Sequence, residues 1–392
     1  MAEGESELRG ALVSDDTRVM VEALGELGIE VHVLDGGVTL KVQGCGGVIP
    51  NRSAQLAVGN SGTTIRFLTA ALAMAGGSYR LDGVPRMRER PIGPLVESLK
   101  KLGVKIATES PGGCPPVSID SPQVTRTQTE IAGDVSSQYL SGLLLGAPLA
   151  SSGLQITITN QCVSWPYVEM TCHVMESFGV SVTFSGKGKA EVAADQKYQA
   201  CDYAIEPDAS AASYFWAVAA ICGGTVLVEG LNRNSLQGDV RFVEALAEMG
   251  CQVNDHANGI SVTGPAQQGV KIDMADISDT AQTLAIVALF VKGPTHITGV
   301  AHNRVKETDR IGNLAIELRK LGAEVDEQDD GLIIHPPSRI KPATIETYRD
   351  HRMAMSFALA GLKQPGLRIL DPSCVEKTFP DYFKTLTSVV GH

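Results

Sequence analysis

Apolar and polar positions along this chain follow a pattern that returns about every 70 residues. Each return carries an amphipathic helical stretch, a large apolar residue, a glycine and then a β-branched run. The copies read EALGELGIEV (22–31), ESLKKLGVKI (97–106), VMESFGVSV (174–182), EALAEMGCQV (244–253) and IELRKLGAEV (316–325). A weaker sixth copy, YFKTLTSVVG, ends at Gly391. Glycine after the last apolar residue is a helix stop, because it takes a positive φ without penalty. The glycines at 28, 103, 179, 250, 322 and 391 are therefore predicted to end six surface helices.

A second kind of helix lies upstream in copies two to six. These stretches are apolar nearly all round: residues 59–77, 133–153, 206–224, 278–293 and 349–366. A helix with no polar face is buried. Short runs such as LQITIT (154–159), TVLVEG (225–230) and THITGV (295–300) supply strands. The unit reads strand–helix–strand–helix–strand–strand. Six units predict an α/β protein of two pseudo-threefold domains, residues 1–205 and 206–392, each with buried helices packed inside sheets. In the first copy the place of the buried helix falls at Met1–Gly4, so this repeat is expected to be incomplete. Each buried helix opens on polar residues: Asn60 and Ser61, Asp134 with Ser136 and Ser137, Asp208 and Ser210, Asp279 and Thr280, and Asp350 with His351 and Arg352. Plain N-capping explains any one of them. Parallel buried helices would also gather several positive N-termini at one end of a domain, which suits anions.

Length and composition narrow the partners. At 392 residues the chain is long for one core, which agrees with two domains. The net charge of −11 argues against nucleic acid or an anionic membrane as partner. The apolar runs are too short to span a bilayer, and MAEGESELRG is too polar for a signal peptide. The eight cysteines form no CxxC pair and no metal-ligand spacing, and they read as small buried hydrophobes in a reducing cytoplasm. Within this acidic chain RVKETDR (304–310) packs five charged side chains of both signs. Such a knot is either a solvated helix start or a clamp for phosphate or carboxylate with an acid or base built in.

Nine stretches settle that choice by resemblance: GNSGTTIRFL, PRMRERPIG, GDVSSQYL, SWPYVEMT, DASAASYF, NSLQGDV, RVKETDR, YRDHRMAM and EKTFPDYF. In this order and near this spacing they resemble the 5-enolpyruvylshikimate-3-phosphate (EPSP) synthase family, from about residue 8 to the C-terminus. The resemblance implies two inverse α/β domains of βαβαββ units closing over the substrates. It implies transfer of the enolpyruvyl group of phosphoenolpyruvate to the 5-hydroxyl of shikimate 3-phosphate with release of phosphate, and no metal or organic cofactor. It assigns Ser136, Ser137, Gln138, Ser164, Tyr167, Asp279, His302 and Lys306 to shikimate 3-phosphate. Gly62, Arg90, Gln138, Arg310, His351, Arg352 and Lys377 fall to phosphoenolpyruvate, and Asp279, Glu307 and Lys377 to proton transfer. For Asp279, capping its helix would be a second job. A sister enolpyruvyl transferase using UDP-N-acetylglucosamine shares the fold, but GDVSSQY, SWPYVEMT and DHRMAM favour phosphoshikimate.

Departures from the family pattern carry their own expectations. A first-repeat motif of roughly G-S-K-S-x-S-N-R, which supplies a lysine, a serine and an arginine, has no counterpart here. From this the chain as given is expected to be weakly active or inactive, less stable and prone to association, where a full-length form would be a cytoplasmic monomer. The second domain is expected to lack a strand and expose an open edge. A truncated or degenerate homologue that binds the substrates weakly is the competing reading. His302 stands where the family often has asparagine, and Phe67 where it often has proline.

Overall fold

The computed structural model describes residues 1–150 and 152–391. It divides into two compact units, Met1–Ile205 and Glu206–His392.

The first unit begins with β1 (Glu5–Arg9), α1 (Asp15–Glu26), β2 (Val31–Leu34) and β3 (Thr39–Gln43). The second repeat follows as β4 (Ser53–Ala57), α2 (Gly62–Ala75), β5 (Gly77–Asp82), α3 (Gly93–Lys101), β6 (Ile106–Ser110) and β7 (Cys114–Ser121). The third is β8 (Gln128–Ile131), α4 (Ser137–Gly146), β9 (Leu154–Ile158), α5 (Trp165–Ser177), β10 (Thr183–Phe184) and β11 (Lys189–Val192), and β12 (Asp202–Ala204) ends the unit. Its three sheets share one plan. Orders β4-β5-β7-β6 and β8-β9-β11-β10 each pair a parallel first strand with an antiparallel hairpin. The remaining sheet, β12-β1-β3-β2, takes its parallel strand from the far end of the unit, with Glu7 opposite Asp202.

The second unit runs α6 (Ala209–Cys222), β13 (Gly224–Glu229), α7 (Phe242–Glu248), β14 (Gln252–His256) and β15 (Gly259–Gly264). It continues as β16 (Lys271–Asp273), α8 (Ala281–Val287), β17 (Thr295–Thr298), α9 (Gly312–Lys320), β18 (Glu324–Gln328) and β19 (Gly331–His335). It closes with β20 (Thr344–Ile345), α10 (His351–Gly361), β21 (Arg368–Ile369) and α11 (Tyr382–Val390). Sheet β16-β17-β19-β18 repeats the four-stranded plan. Sheet β13-β15-β14 has three strands, and β20-β21 only the parallel pair. Among the described residues β13 has no parallel neighbour. It is an edge, and its Leu227 is exposed.

The local sequence accounts for these elements. Along β9, Leu154, Ile156 and Ile158 are buried while Gln155 and Thr157 face out, the period-two alternation of a half-buried strand. On α9, Leu314, Ala315 and Leu318 turn inward and the basic Arg319 and Lys320 close the last turn. Gly28, Gly103, Gly179, Gly250 and Gly322 adopt φ of +79° to +97°, as helix stops require. Gly391 differs: its φ is −84°, so α11 ends without a left-handed residue. The helices without a polar face are interior. α2 and α4 pack against each other in the first unit, and α6, α8 and α10 pack mutually in the second. Leu143, Leu144, Leu284 and Ile286 on these helices are fully buried, each contributing roughly 1.5–3 kcal/mol of transfer free energy. Among the described residues no helix precedes β1, so the first unit holds two interior helices. No described helix is long and apolar enough to cross a membrane.

Candidate functional site

In the second unit the charged knot divides into two faces. Arg304 and Asp309 do structural work. Arg304 bonds Asp309, Glu327 and the backbone oxygens of Gln328 and Asp329, tying this turn to the β18–β19 hairpin. Asp309 accepts from the backbone of Ile311 and Gly312 at the start of α9. Lys306, Glu307 and Arg310 turn the other way. There they meet residues from the turn before α8, from the start of α10 and from the segment before α11.

Arg310 is the hub. Its side chain is 2% exposed and reaches three carboxylates. Nε bonds Asp350 at 2.7 Å, Nη2 bonds Glu307 at 2.6 Å, and Nη1 bonds Asp279 at 3.1 Å. Asp279 also holds Arg352 at 2.8 Å and lies 3.6 Å from Lys306 Nζ, while Glu307 lies 3.5 Å from Lys377 Nζ. Asp279, Arg310, Glu307 and Lys377 thus form one connected chain of charge. Lys306, Arg310, Arg352 and Lys377 outnumber Asp279, Glu307 and Asp350 by one formal charge, and the N-terminus of α10 adds its dipole. An excess of buried positive charge favours an anion.

The surroundings fix the protonation states. Burial opposes ionisation of Asp279, but Arg352, Lys306 and Arg310 outweigh it and hold its carboxyl below the usual carboxylate range. Burial, then Lys377 and Arg352, push His351 well below its ordinary value. Burial, then Lys306, lower His302 to about 3, so both rings are neutral at pH 7. His302 Nε2 lies 2.9 Å from Ser278 Oγ, and Asn303 Nδ2 donates to the Ser278 carbonyl, so His302 braces the turn that carries Asp279. Asp279 caps no helix. It sits in a 3-10 turn, Ser278–Thr280, with no side-chain capping bond, and its oxygens go to the guanidinium groups instead. The second job expected for it is not observed. Asp350 does combine two tasks, capping α10 through the Arg352 N–H at 2.9 Å while pairing with Arg310.

In the first unit the expected residues gather at the starts of α2, α4 and α5. Ser61 and Ser136 cap α2 and α4. Gly62 opens α2 under the Arg90 guanidinium, and a Cβ there would stand 2.7 Å from Arg90 Nη2. Arg90 Nη1 is held by the Asn60 carbonyl at 2.9 Å. Gln138 is fixed at both ends of its amide, its oxygen accepting from Arg66 at 2.6 Å and its nitrogen donating to Thr63 at 3.0 Å. Ser137 is buried beside it. Ser164 precedes α5 in a left-handed conformation, φ +53°, which is uncommon for serine and a form of strain typical of functional turns. Tyr167 follows in the first turn of α5, and Val163 N bonds the Gly133 carbonyl, bringing this turn to the segment before α4.

Three contributors lie outside the substrate and proton-transfer residues assigned from sequence. Arg66 is a guanidinium on an otherwise apolar helix, stacked 5.2 Å over Tyr139, and its charge in such a setting was a legible signal. Asp350 was visible only as a cap. Tyr214, on α6, meets Arg352 at 3.4 Å. Among the described residues no group of His, Cys, Asp and Glu is arranged to hold a metal ion.

Comparison with known proteins shows the family. The family model for EPSP synthase (3-phosphoshikimate 1-carboxyvinyltransferase) matches residues 1–386. The chain is 46% identical over 392 residues to a 3-phosphoshikimate 1-carboxyvinyltransferase from Trichormus variabilis, covering 100% of this chain and 92% of the relative. It is 47% identical over 402 residues to one from Ralstonia pickettii, again covering 100% and 92%. A solved EPSP synthase from Acinetobacter baumannii superposes with a TM-score of 0.80 at 26% identity, covering 99% of this chain and 91% of that one. With the family model spanning nearly every residue and relatives this similar over the whole chain, the chain belongs to the EPSP synthase (3-phosphoshikimate 1-carboxyvinyltransferase) family of transferases.

Proposed function

We propose that this chain transfers the enolpyruvyl group of phosphoenolpyruvate to the 5-hydroxyl of shikimate 3-phosphate and releases phosphate. The observation that carries the reading is the buried chain Asp279–Arg310–Glu307–Lys377, which together with Lys306, Arg352 and Asp350 holds one more cation than carboxylate. Arg310, Arg352, His351 and Lys377 bind phosphoenolpyruvate in the second unit, and Gly62, Arg90 and Gln138 offer it further contacts in the first. Ser136, Ser137, Gln138, Ser164 and Tyr167, with Lys306, His302 and Asp279, take shikimate 3-phosphate.

The same network supplies the chemistry. Asp279 accepts the proton of the attacking hydroxyl. Glu307 or Lys377 protonates the methylene carbon of phosphoenolpyruvate as the new C–O bond forms at its central carbon. The tetrahedral adduct then returns a proton from the methyl group and expels phosphate, restoring the double bond. Without substrates the carboxylates are tied to cations. Incoming phosphate and carboxylate groups compete for those cations, so loading the substrates loosens Asp279 and raises its basicity. The match over residues 1–386 and the intact network disfavour a degenerate, non-catalytic homologue. The test is phosphate release from the two substrates by the purified chain and by Asp279→Asn. Turnover by the first that collapses in the second supports the reading, and equal rates refute it.

A further inference from the structure

Glu317 is a fully buried carboxylate with no part in the chemistry above. It lies on α9, the helix that starts just after Arg310. It accepts from Lys320 Nζ at 2.7 and 2.8 Å, from the Glu346 N–H at 3.1 Å and from the Tyr348 hydroxyl at 2.7 Å. The last two partners belong to the segment leading into α10. Two residues of that segment, Tyr348 and Arg349, are consecutively left-handed, with φ of +53° and +58°. Neither is glycine, and for both the conformation is unfavourable. The next residue is Asp350, which grips Arg310 and caps the helix carrying His351 and Arg352. The segment is therefore held at two points, by Glu317 of α9 at Glu346 and Tyr348, and by Arg310, just before α9, at Asp350.

We propose that Glu317 is a positioning residue: by clamping Glu346 and Tyr348 it keeps the strained pair Tyr348–Arg349 in place, and so aims Asp350, and through it Arg310 and Arg352, at phosphoenolpyruvate. The proposal rests on the reading of Arg310 and Arg352 as phosphoenolpyruvate ligands. The chemistry of the clamp explains the residue type. All of Glu317's partners donate, and the Glu346 N–H and the Lys320 ammonium cannot accept, so an acceptor-only carboxylate fits where the amide of glutamine would turn a donor toward a donor. Tyr348 makes the same point from the other side, since its hydroxyl bonds the carboxylate.

Three variants test it: Glu317→Gln, Tyr348→Phe, and Glu317→Gln with Arg349→Gly. The double variant exploits the exposure of Arg349, where glycine takes the left-handed conformation without strain. Phosphate release is measured with each substrate varied in turn, and backbone hydrogen exchange is followed over residues 346–352. Glu317→Gln is expected to raise KM for phosphoenolpyruvate about tenfold while KM for shikimate 3-phosphate stays within about twofold. Tyr348→Phe shifts the same constant less. Arg349→Gly recovers part of the loss. A merely structural role would lower thermal stability without splitting the two constants and without rescue, and either result overturns the proposal. Should the wild type release no phosphate, the substrate reading fails, and hydrogen exchange decides the clamp separately. Faster exchange of the 350–352 amides in Glu317→Gln upholds it, and wild-type rates overturn it.

Discussion

His302 ties stability to pH with a sign and size that follow from its surroundings. The ring is 5% exposed, and burial together with the nearby Lys306 ammonium lowers its pKa to about 3. In the unfolded chain the value returns to about 6.5. The native state thus binds fewer protons, and the stability this group contributes is fully present above pH 6.5 and is lost as pH falls from there toward 3. Each pH unit below 6.5 removes about 1.4 kcal/mol, so going from pH 7.5 to 5.0 removes about 2 kcal/mol through this one ring. At pH 5.0 the native ring is still neutral, so the full slope applies from about pH 6.5 down to 5.0. His351 is shifted in the same direction and adds to the fall. Asp279, depressed as a carboxylate, acts only at lower pH. The assay is urea unfolding of the second unit followed by Trp216, which is fully buried in α6, after Trp165 of the first unit is changed to phenylalanine. His302→Asn keeps a polar side chain near Ser278 and removes the titration. Wild type should lose about 2 kcal/mol more than His302→Asn between pH 7.5 and 5.0. Equal losses in the two proteins would refute the reasoning, because the ring would then titrate alike in both states.

Other outcomes follow from the geometry. Gly62→Ala places a Cβ 2.7 Å from Arg90 Nη2 and 3.2 Å from Arg66 Nη1. The Arg90 guanidinium must give way, raising KM for phosphoenolpyruvate by about tenfold, and an unchanged KM would show that Arg90 does not meet that substrate. Asp279→Asn removes the proposed proton acceptor and should lower kcat by roughly 10²–10⁴ with circular dichroism unchanged. A kcat within a few-fold of wild type would remove Asp279 from that role. Asp350→Ala leaves the buried Arg310 short of its bidentate partner and should destabilise the second unit by about 3–5 kcal/mol in urea. A loss below about 1 kcal/mol would mean that Glu307 and Asp279 suffice to neutralise Arg310.

Where the governing interactions are local, the fold could be read from sequence. The glycines at 28, 103, 179, 250 and 322 mark helix ends because one residue's φ decides the matter. The interior helices were visible because α4 and α8 have no polar face to offer water. The charged knot stood out in the sequence, but its division did not. That Arg304 and Asp309 serve the fold while Lys306, Glu307 and Arg310 face the site depends on a hairpin some twenty residues downstream. Asp350 shows the same limit. Its capping spacing is local, but its pairing with Arg310, 40 residues away, is tertiary. Asp279 was misjudged as a cap for a related reason. The Arg310 and Arg352 guanidiniums compete for its oxygens more strongly than backbone N–H groups do. Tyr214 and Glu317 gave no signal, since an aromatic on a buried helix and a glutamate on an amphipathic one are ordinary residues until their partners are known.

The strand that completes the first sheet has a consequence for synthesis. β12 pairs with β1 across 195 positions, as the bond from Cys201 N to Ser6 Oγ also records. Closing that loop costs about 2 kcal/mol more in chain entropy than closing the short α2 crossover between β4 and β5. Timing matters more than energy. At roughly 5–20 residues per second, β1 leaves the ribosome about 10–40 s before β12 exists. During that interval the β1–β3–β2 hairpin sheet presents an open edge on its β1 side, and the nascent chain must keep it from pairing with other strands. Codon choice between residues 43 and 202, and chaperone occupancy over the same stretch, should therefore influence yield.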